Sequence, residues 1–224
     1  MTPRSQLNAE RSEATRTLLL QRARTVFEQR GYGAASVADI VTAAGVARGT
    51  FYVHFKSKRE IFIALVSGVK EELLAGQMRP LVGSRTVADA VRHGIEQYLR
   101  AYRTSARMIS LIEDTATSDR AVRTAWLETR DALHANTVHA LERLRELDLA
   151  HYHGSTRIVA LTLGAMVERM GAIRYVLGYR FNDEELLSTL TTAYLDAARI
   201  DGDHRLTSRD GELPAGVAGR SRRR

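Results

Sequence analysis

The chain has 224 residues, 44% of them hydrophobic, enough to bury one large core or two modest ones. It contains no Cys, which excludes disulfides, thiolate zinc sites and cysteine nucleophiles and fits a reducing cytoplasm. The formal net charge of +7 sits at the two ends: residues 1–60 hold ten Lys and Arg against five Asp and Glu, residues 61–200 seventeen of each, and residues 201–224 six against four.

Residues 1–13 show no apolar periodicity and read as a flexible arm. Leu18, Leu19 and Leu20 lie between Arg16 and Arg22, too short and too charged for a secretory leader. No stretch approaches the roughly 18 consecutive apolar residues of a membrane-spanning helix, so the expectation is a cytoplasmic protein without a membrane partner. Helical spacing then places Leu19, Ala23, Val26 and Phe27 on one stripe, with Gly31 as the stop. Ser36 with Asp39 forms a capping box for a short helix that carries Val37, Ile40, Val41 and Ala44 and ends at Gly45. Residues 46–52 make a third helix. Ser57 with Glu60 opens a fourth through Ile61, Leu65, Val69 and Leu73.

Beyond Pro80, Thr86 and Asp89 start a helix through Val91, Ile95, Tyr98, Leu99 and Tyr102, and residues 105–116 form a separate one. Residues 119–147 read as a long helix, residues 158–177 as another ending at Gly178, and Asn182 with Glu185 caps a last helix through Leu186, Leu190, Tyr194 and Ala197. No β-branched run alternates with period two, so the fold class is all-α, with nine helices expected. The organisation is an arm at 1–13, a three-helix domain at 14–60, a six-helix domain at 61–200, and a basic tail at 201–224 whose six Arg and few large apolar groups predict disorder.

The chemistry concentrates in residues 36–62. Two short helices joined by a turn at Gly45 need apolar contacts at fixed offsets, which Ile40, Ala44, Val46 and Phe51 supply, and glycine accepts the positive φ of the turn. The second helix exposes Ala47, Arg48, Gly49, Thr50 and Tyr52. Small residues beside one Arg and one Thr let a helix enter a major groove about 12 Å wide, with Arg48 paired to guanine and Thr50 against a thymine methyl. Tyr52, His54, Lys56 and Lys58 suit phosphates, and Ser36 and Val37 lie at a helix N-terminus whose amides attract anions.

Residues 14–62 resemble the DNA-binding domain of the tetracycline-repressor (TetR) family, through Gly45-Val46-x-x-Gly49-Thr50-Phe51-Tyr52-x-His54-Phe55-x-x-Lys58. The resemblance implies a transcriptional regulator, by family habit a repressor. It implies that Tyr52 and Lys58 touch phosphates, that Ala47, Arg48, Gly49 and Thr50 face bases, and that six further helices bind ligand and dimerise. Val91-Arg92-x-Gly94, Ala116-Thr117-Ser118 with Trp126, and Met166-x-Glu168-Arg169 are similar to the C-terminal domain of the ethionamide-resistance-type repressors, which implies an apolar tunnel.

Tyr98, Tyr102, Met108, Ile112, Trp126, Met166, Val167 and Met170, with Glu168 among them, form an aromatic and thioether set suited to a small apolar ligand such as an acyl chain or acyl thioester. The same residues at helical spacing also fit plain core. Gly94 and Gly164, inside predicted helices, suggest space kept open or close helix contact. Ile158, Leu161, Ala165, Leu187, Leu190 and Tyr194 are the candidate homodimer surface, since one short recognition helix reads too few base pairs alone. No catalytic constellation, metal motif or cofactor motif occurs, so the expected partners are a double-stranded DNA operator, a small apolar ligand and a second copy. The alternative is a ligand-independent or architectural DNA-binding regulator.

Overall fold

The computed structural model describes residues 3–77 and 86–206, with side chains from residue 6. Among the described residues eight helices occur, in the order α1 (Pro3–Ala34), α2 (Val37–Ala44), α3 (Arg48–His54), α4 (Lys58–Gln77), α5 (Val87–Ser118), α6 (Arg120–Glu146), α7 (Thr156–Tyr175) and α8 (Asp183–Ala197). The ninth is missing because α5 runs unbroken through the break expected before residue 105. No Gly or Pro interrupts Arg103 to Ala106. The Thr104 hydroxyl donates back to the Arg100 carbonyl, and Ser105 turns its hydroxyl to Glu72, so neither competes for the helix amides.

The chain divides into two units, Met1–Val69 with Arg107–Glu128, and Lys70–Ala106 with Thr129–Arg224. In the first, α1 begins at Pro3, so the expected arm is helical over residues 3–13. Its side chains from Gln6 to Ala14 are all exposed, and a helix with no buried face has no apolar period to read. The expected stop is a break: Gly31 leaves the helix at φ 76°, ψ 161°, and one further turn runs to Ala34. Leu19, Ala23, Val26 and Phe27 are buried, with Ile40, Phe51, Ile61, Phe62, Met108, Ile109, Ile112 and Val122. Phe62 meets Phe27 edge-to-face at 5.1 Å and Tyr32 at 4.6 Å, in the range of favourable aromatic pairs.

Asp119 stands at the start of α6. One of its oxygens accepts the amides of Ala121 (3.0 Å) and Val122 (3.3 Å), and the other accepts Arg59 Nε of α4 at 2.8 Å. Burial opposes its ionisation, but the Val122 amide, the Arg59 guanidinium and the Ala121 amide outweigh it and hold the carboxyl below its ordinary 3.8. A lowered carboxylate pKa contributes stability that is full above the ordinary value and lost as pH falls through the folded value. Asp119→Ala is expected to destabilise this unit by about 0.5–2 kcal/mol at neutral pH. Urea unfolding followed by the single tryptophan, Trp126, should show the gap between variant and parent closing as pH falls below the ordinary carboxylate range; a gap that persists unchanged in acid rules out the carboxylate as its source.

In the second unit, Val87, Leu141, Leu144, Leu149, Ala160, Leu163, Ala198 and Ile200 form one apolar cluster, and Ile95, Leu99, Val167, Leu186, Leu187 and Leu190 another. The basic tail does not begin at residue 201. The amides of Val87 and Ala88, in the first turn of α5, donate to the carbonyls of His204 (3.0 Å) and Gly202 (2.9 Å). The Asp201 amide donates to Leu149 O at 2.9 Å, and Leu206 packs on the first cluster. A helix leaves its first four amides unpaired, and this segment supplies two of the acceptors they need. Residues 207–224 lie outside the described residues.

Candidate nucleic-acid interface

The recognition element is built as its spacing demands. Ser36 Oγ accepts the Asp39 amide at 3.2 Å while the Asp39 carboxylate accepts the Ser36 amide at 2.9 Å, the full capping box of α2. Gly45 ends α2 in the left-handed region at φ 65°, ψ 31°, and its amide donates to Thr42 O at 3.2 Å. The chain then enters α3, which is anchored from inside by Phe51 and Phe55, both buried, with ring centroids 5.9 Å apart. Arg16 of α1 stacks over Phe55 at 5.0 Å.

With Phe51 and Phe55 inward, the other side of α3 faces out. Ala47, Arg48, Gly49, Tyr52 and Lys56 are exposed; Val37, Thr50 and His54 are half-buried. Arg48 lies over the Tyr52 ring one turn on, its Nη2 3.4 Å from the phenol oxygen. Val53 is 78% exposed, and the sequence reading passed over it. The signal was available: residue 53 lies about 200° around the helix from residue 51, opposite the buried edge. An apolar side chain there suits a thymine methyl.

Two expected phosphate ligands have other partners. The Ser36 hydroxyl donates to Asp39 Oδ2 at 2.7 Å, so it has no proton left for a phosphate. Arg30 pairs with Asp39 at 2.6 Å, and hydrogen bonds from Ser36 hold the Asp39 carboxyl below its usual range, so a negative charge already occupies this helix start. Lys58 donates to the carbonyls of Tyr32 (2.7 Å), Gly33 (3.3 Å) and Ala35 (2.8 Å) and lies 4.6 Å from the Tyr32 ring centroid. An ammonium has three protons, and all three are placed on the end of α1. Its role is that of a C-terminal cap. The capping box expected at Ser57 is displaced by one residue, since Ser57 Oγ accepts the Glu60 amide but the Glu60 carboxylate accepts the amide of Lys56.

Residues 19–65, which contain this whole element, match the family model described as bacterial regulatory proteins, tetR family. This segment is therefore of the tetR-family type. It is 37% identical over 84 residues to the HTH-type transcriptional repressor KstR2 of Rhodococcus jostii, a match covering 38% of this chain and 41% of that protein. It is 37% identical over 62 residues to the HTH-type transcriptional regulator TtgR of Pseudomonas putida, covering 28% and 30%. The matches thus span less than half the length of these curated relatives. Solved structures extend the likeness in fold: Salmonella enterica GusR superposes with a TM-score of 0.68 at 20% identity over 83% of this chain and 96% of that one. The fatty acid degradation regulator FadR from Bacillus halodurans does so with a TM-score of 0.66 at 17% identity over 83% and 97%.

That match leaves the C-terminal residues to be read one by one. The expected ligand set divides: Met108, Ile112 and Trp126 are buried in the first unit, whereas Tyr98, Tyr102, Met166, Val167, Glu168 and Met170 belong to the second. There Tyr98, Met166 and Met170, each half-buried, pack against the Leu99–Leu187–Leu190 cluster. Gly164 gives room to a neighbour and not to a ligand, since a Cβ there would lie 2.6 Å from Cε1 of His134. A Cβ at Gly94 would meet nothing within 4 Å, so close packing does not demand glycine there. Glu168 pairs with Arg130 at 2.5 Å; burial raises its carboxyl above the usual range while Arg130 opposes the shift. Of the expected dimer surface, Ile158 and Ala165 are exposed and Leu161 is half-buried, but Leu187 and Leu190 are buried in the core and Tyr194 packs against it. Leu187 and Leu190 thus face their own unit's core, and Tyr194 is half-buried against it.

Proposed function

We propose that this chain is a DNA-binding transcriptional regulator, a repressor that sits on a (pseudo)palindromic operator as a homodimer and is released by a small effector with an apolar body. The observation that carries the reading is the outward face of α3. Arg48, Gly49, Tyr52 and Val53 are all exposed on a helix whose opposite side is held by two buried phenylalanines, the arrangement a major-groove reader needs. Arg48 is the base-reading group, Val53 and Thr50 the apolar contacts, and Tyr52 and Lys56 the phosphate contacts. The similarity to KstR2, a transcriptional repressor, supports the direction of control. For the dimer, the outward residues are Ile158, Thr162 and Ala165 of α7 with Ser188 and Thr192 of α8, all exposed and mostly small, as close helix packing requires.

Arg48→Ala is expected to weaken operator binding by about 1–3 kcal/mol while costing much less on random duplex. Fluorescence anisotropy on both DNAs across a salt series, with two chains bound per operator, checks it. Equal losses on operator and random DNA would remove Arg48 from base reading, and binding by a single chain would remove the dimer.

A further inference from the structure

The second unit holds a half-open groove of about 610 Å³ between α4, α5, the end of α7 and the start of α8, a volume inside the roughly 300–1,000 Å³ of small-molecule sites. Leu99, Ala101, Leu186 and Leu187 give it apolar surface, and its remaining lining is mainly polar. The carboxylates of that lining are already matched within the protein. Glu184 pairs with Arg92 and Glu96 with Arg100, each at 2.6 Å; Asp183 accepts from Arg174 at 3.3 Å; Glu72 accepts the Ser105 hydroxyl.

Arg103 stands apart in this set. One turn on from Arg100, it is exposed and lines the groove together with Tyr175. Burial raises the pKa of that phenol, Asp183 adds to the rise, and the charges of Arg103 and Arg174 oppose it. The hydroxyl therefore keeps its proton and can donate it. A guanidinium and a protonated phenol beside apolar surface are the donors that a carboxylate with a hydrocarbon body requires.

We infer that this groove binds a small organic monocarboxylate, its carboxylate between Arg103 and the Tyr175 hydroxyl and its compact apolar body over Leu99, Leu186 and Leu187. The inference rests on the effector reading above and names the ligand class that reading leaves open. It also places the site apart from Tyr98, Met166 and Met170, none of which lines the groove.

The probes are hexanoate and benzoate, with hexanol and benzamide as uncharged counterparts, titrated calorimetrically into the full chain without DNA. At least one acid is expected to bind with Kd below about 1 mM and about tenfold more tightly than its counterpart. Arg103→Gln, at an exposed position, should abolish that preference with an unchanged Tm; Tyr175→Phe should weaken binding about threefold, and Arg103→Lys should restore part of it. Binding of neither acid, equal binding of acid and counterpart, or undiminished binding by Arg103→Gln overturns the proposal. Operator affinity measured in parallel keeps the two readings apart. A chain that binds acid but not DNA removes the regulator reading and supports the groove, whereas one that binds DNA but neither acid removes the groove alone.

Discussion

Phe62→Ala is expected to cost the DNA-binding unit about 3–5 kcal/mol, the usual range for truncating a buried phenylalanine. Phe62 is fully buried and touches two rings, Phe27 at 5.1 Å and Tyr32 at 4.6 Å, so its removal opens a cavity walled by side chains from α1. A loss of that size is a large fraction of the roughly 5–15 kcal/mol that holds a domain together. Unfolding in urea followed by Trp126 emission reads the same unit, because Trp126 is buried within it. The midpoint should fall sharply and DNA affinity with it. A change below about 1 kcal/mol would mean that the aromatic cluster is not the centre of this unit.

Lys58→Met should separate two roles that the sequence alone leaves merged. If the ammonium caps α1, the variant loses hydrogen bonds to three carbonyls and about 1.5–3 kcal/mol of stability, while the salt dependence of binding to random DNA keeps its slope. If instead Lys58 neutralises a phosphate, stability is nearly unchanged and the slope falls by about one charge. The geometry predicts the first outcome. The measurement pairs a thermal melt with a salt titration on one preparation. A preserved melt with a reduced slope would return Lys58 to the DNA.

What was legible in the chain follows from how locally each feature is encoded. The Ser36–Asp39 and Thr86–Asp89 boxes and the Gly31 and Gly45 stops depend on residues three or four apart, and each stands in the structure as read. The all-α class and the recognition helix rest on the same short-range pattern. Features settled by distant partners were not legible. Nothing near Lys58 announces the carbonyls of Tyr32 and Ala35, and nothing near Leu187 says whether its apolar side meets its own core or another copy. Residues 3–13 failed for the opposite reason: they form helix through residue preference alone, and a search for a buried stripe cannot see it. The aromatic and thioether set read as a pocket because core and cavity draw on the same side chains; their division between two units and the imidazole of His134 against Gly164 are settled by partners distant in the chain.

The hold of residues 202–206 on the start of α5 also orders events during synthesis. A ribosome releases the chain from its N-terminus, and the pieces of the first unit, ending at Glu128, are all made while much of the second is still untranslated. The first turn of α5 is by then long finished, yet the carbonyls of Gly202 and His204 that its amides require come after α6, α7 and α8. Until they arrive, Val87 and its neighbours have an incomplete apolar cluster to join. The part that reads DNA can therefore mature first, and the part that carries the groove closes last, with a window in which a nascent chain has the one without the other.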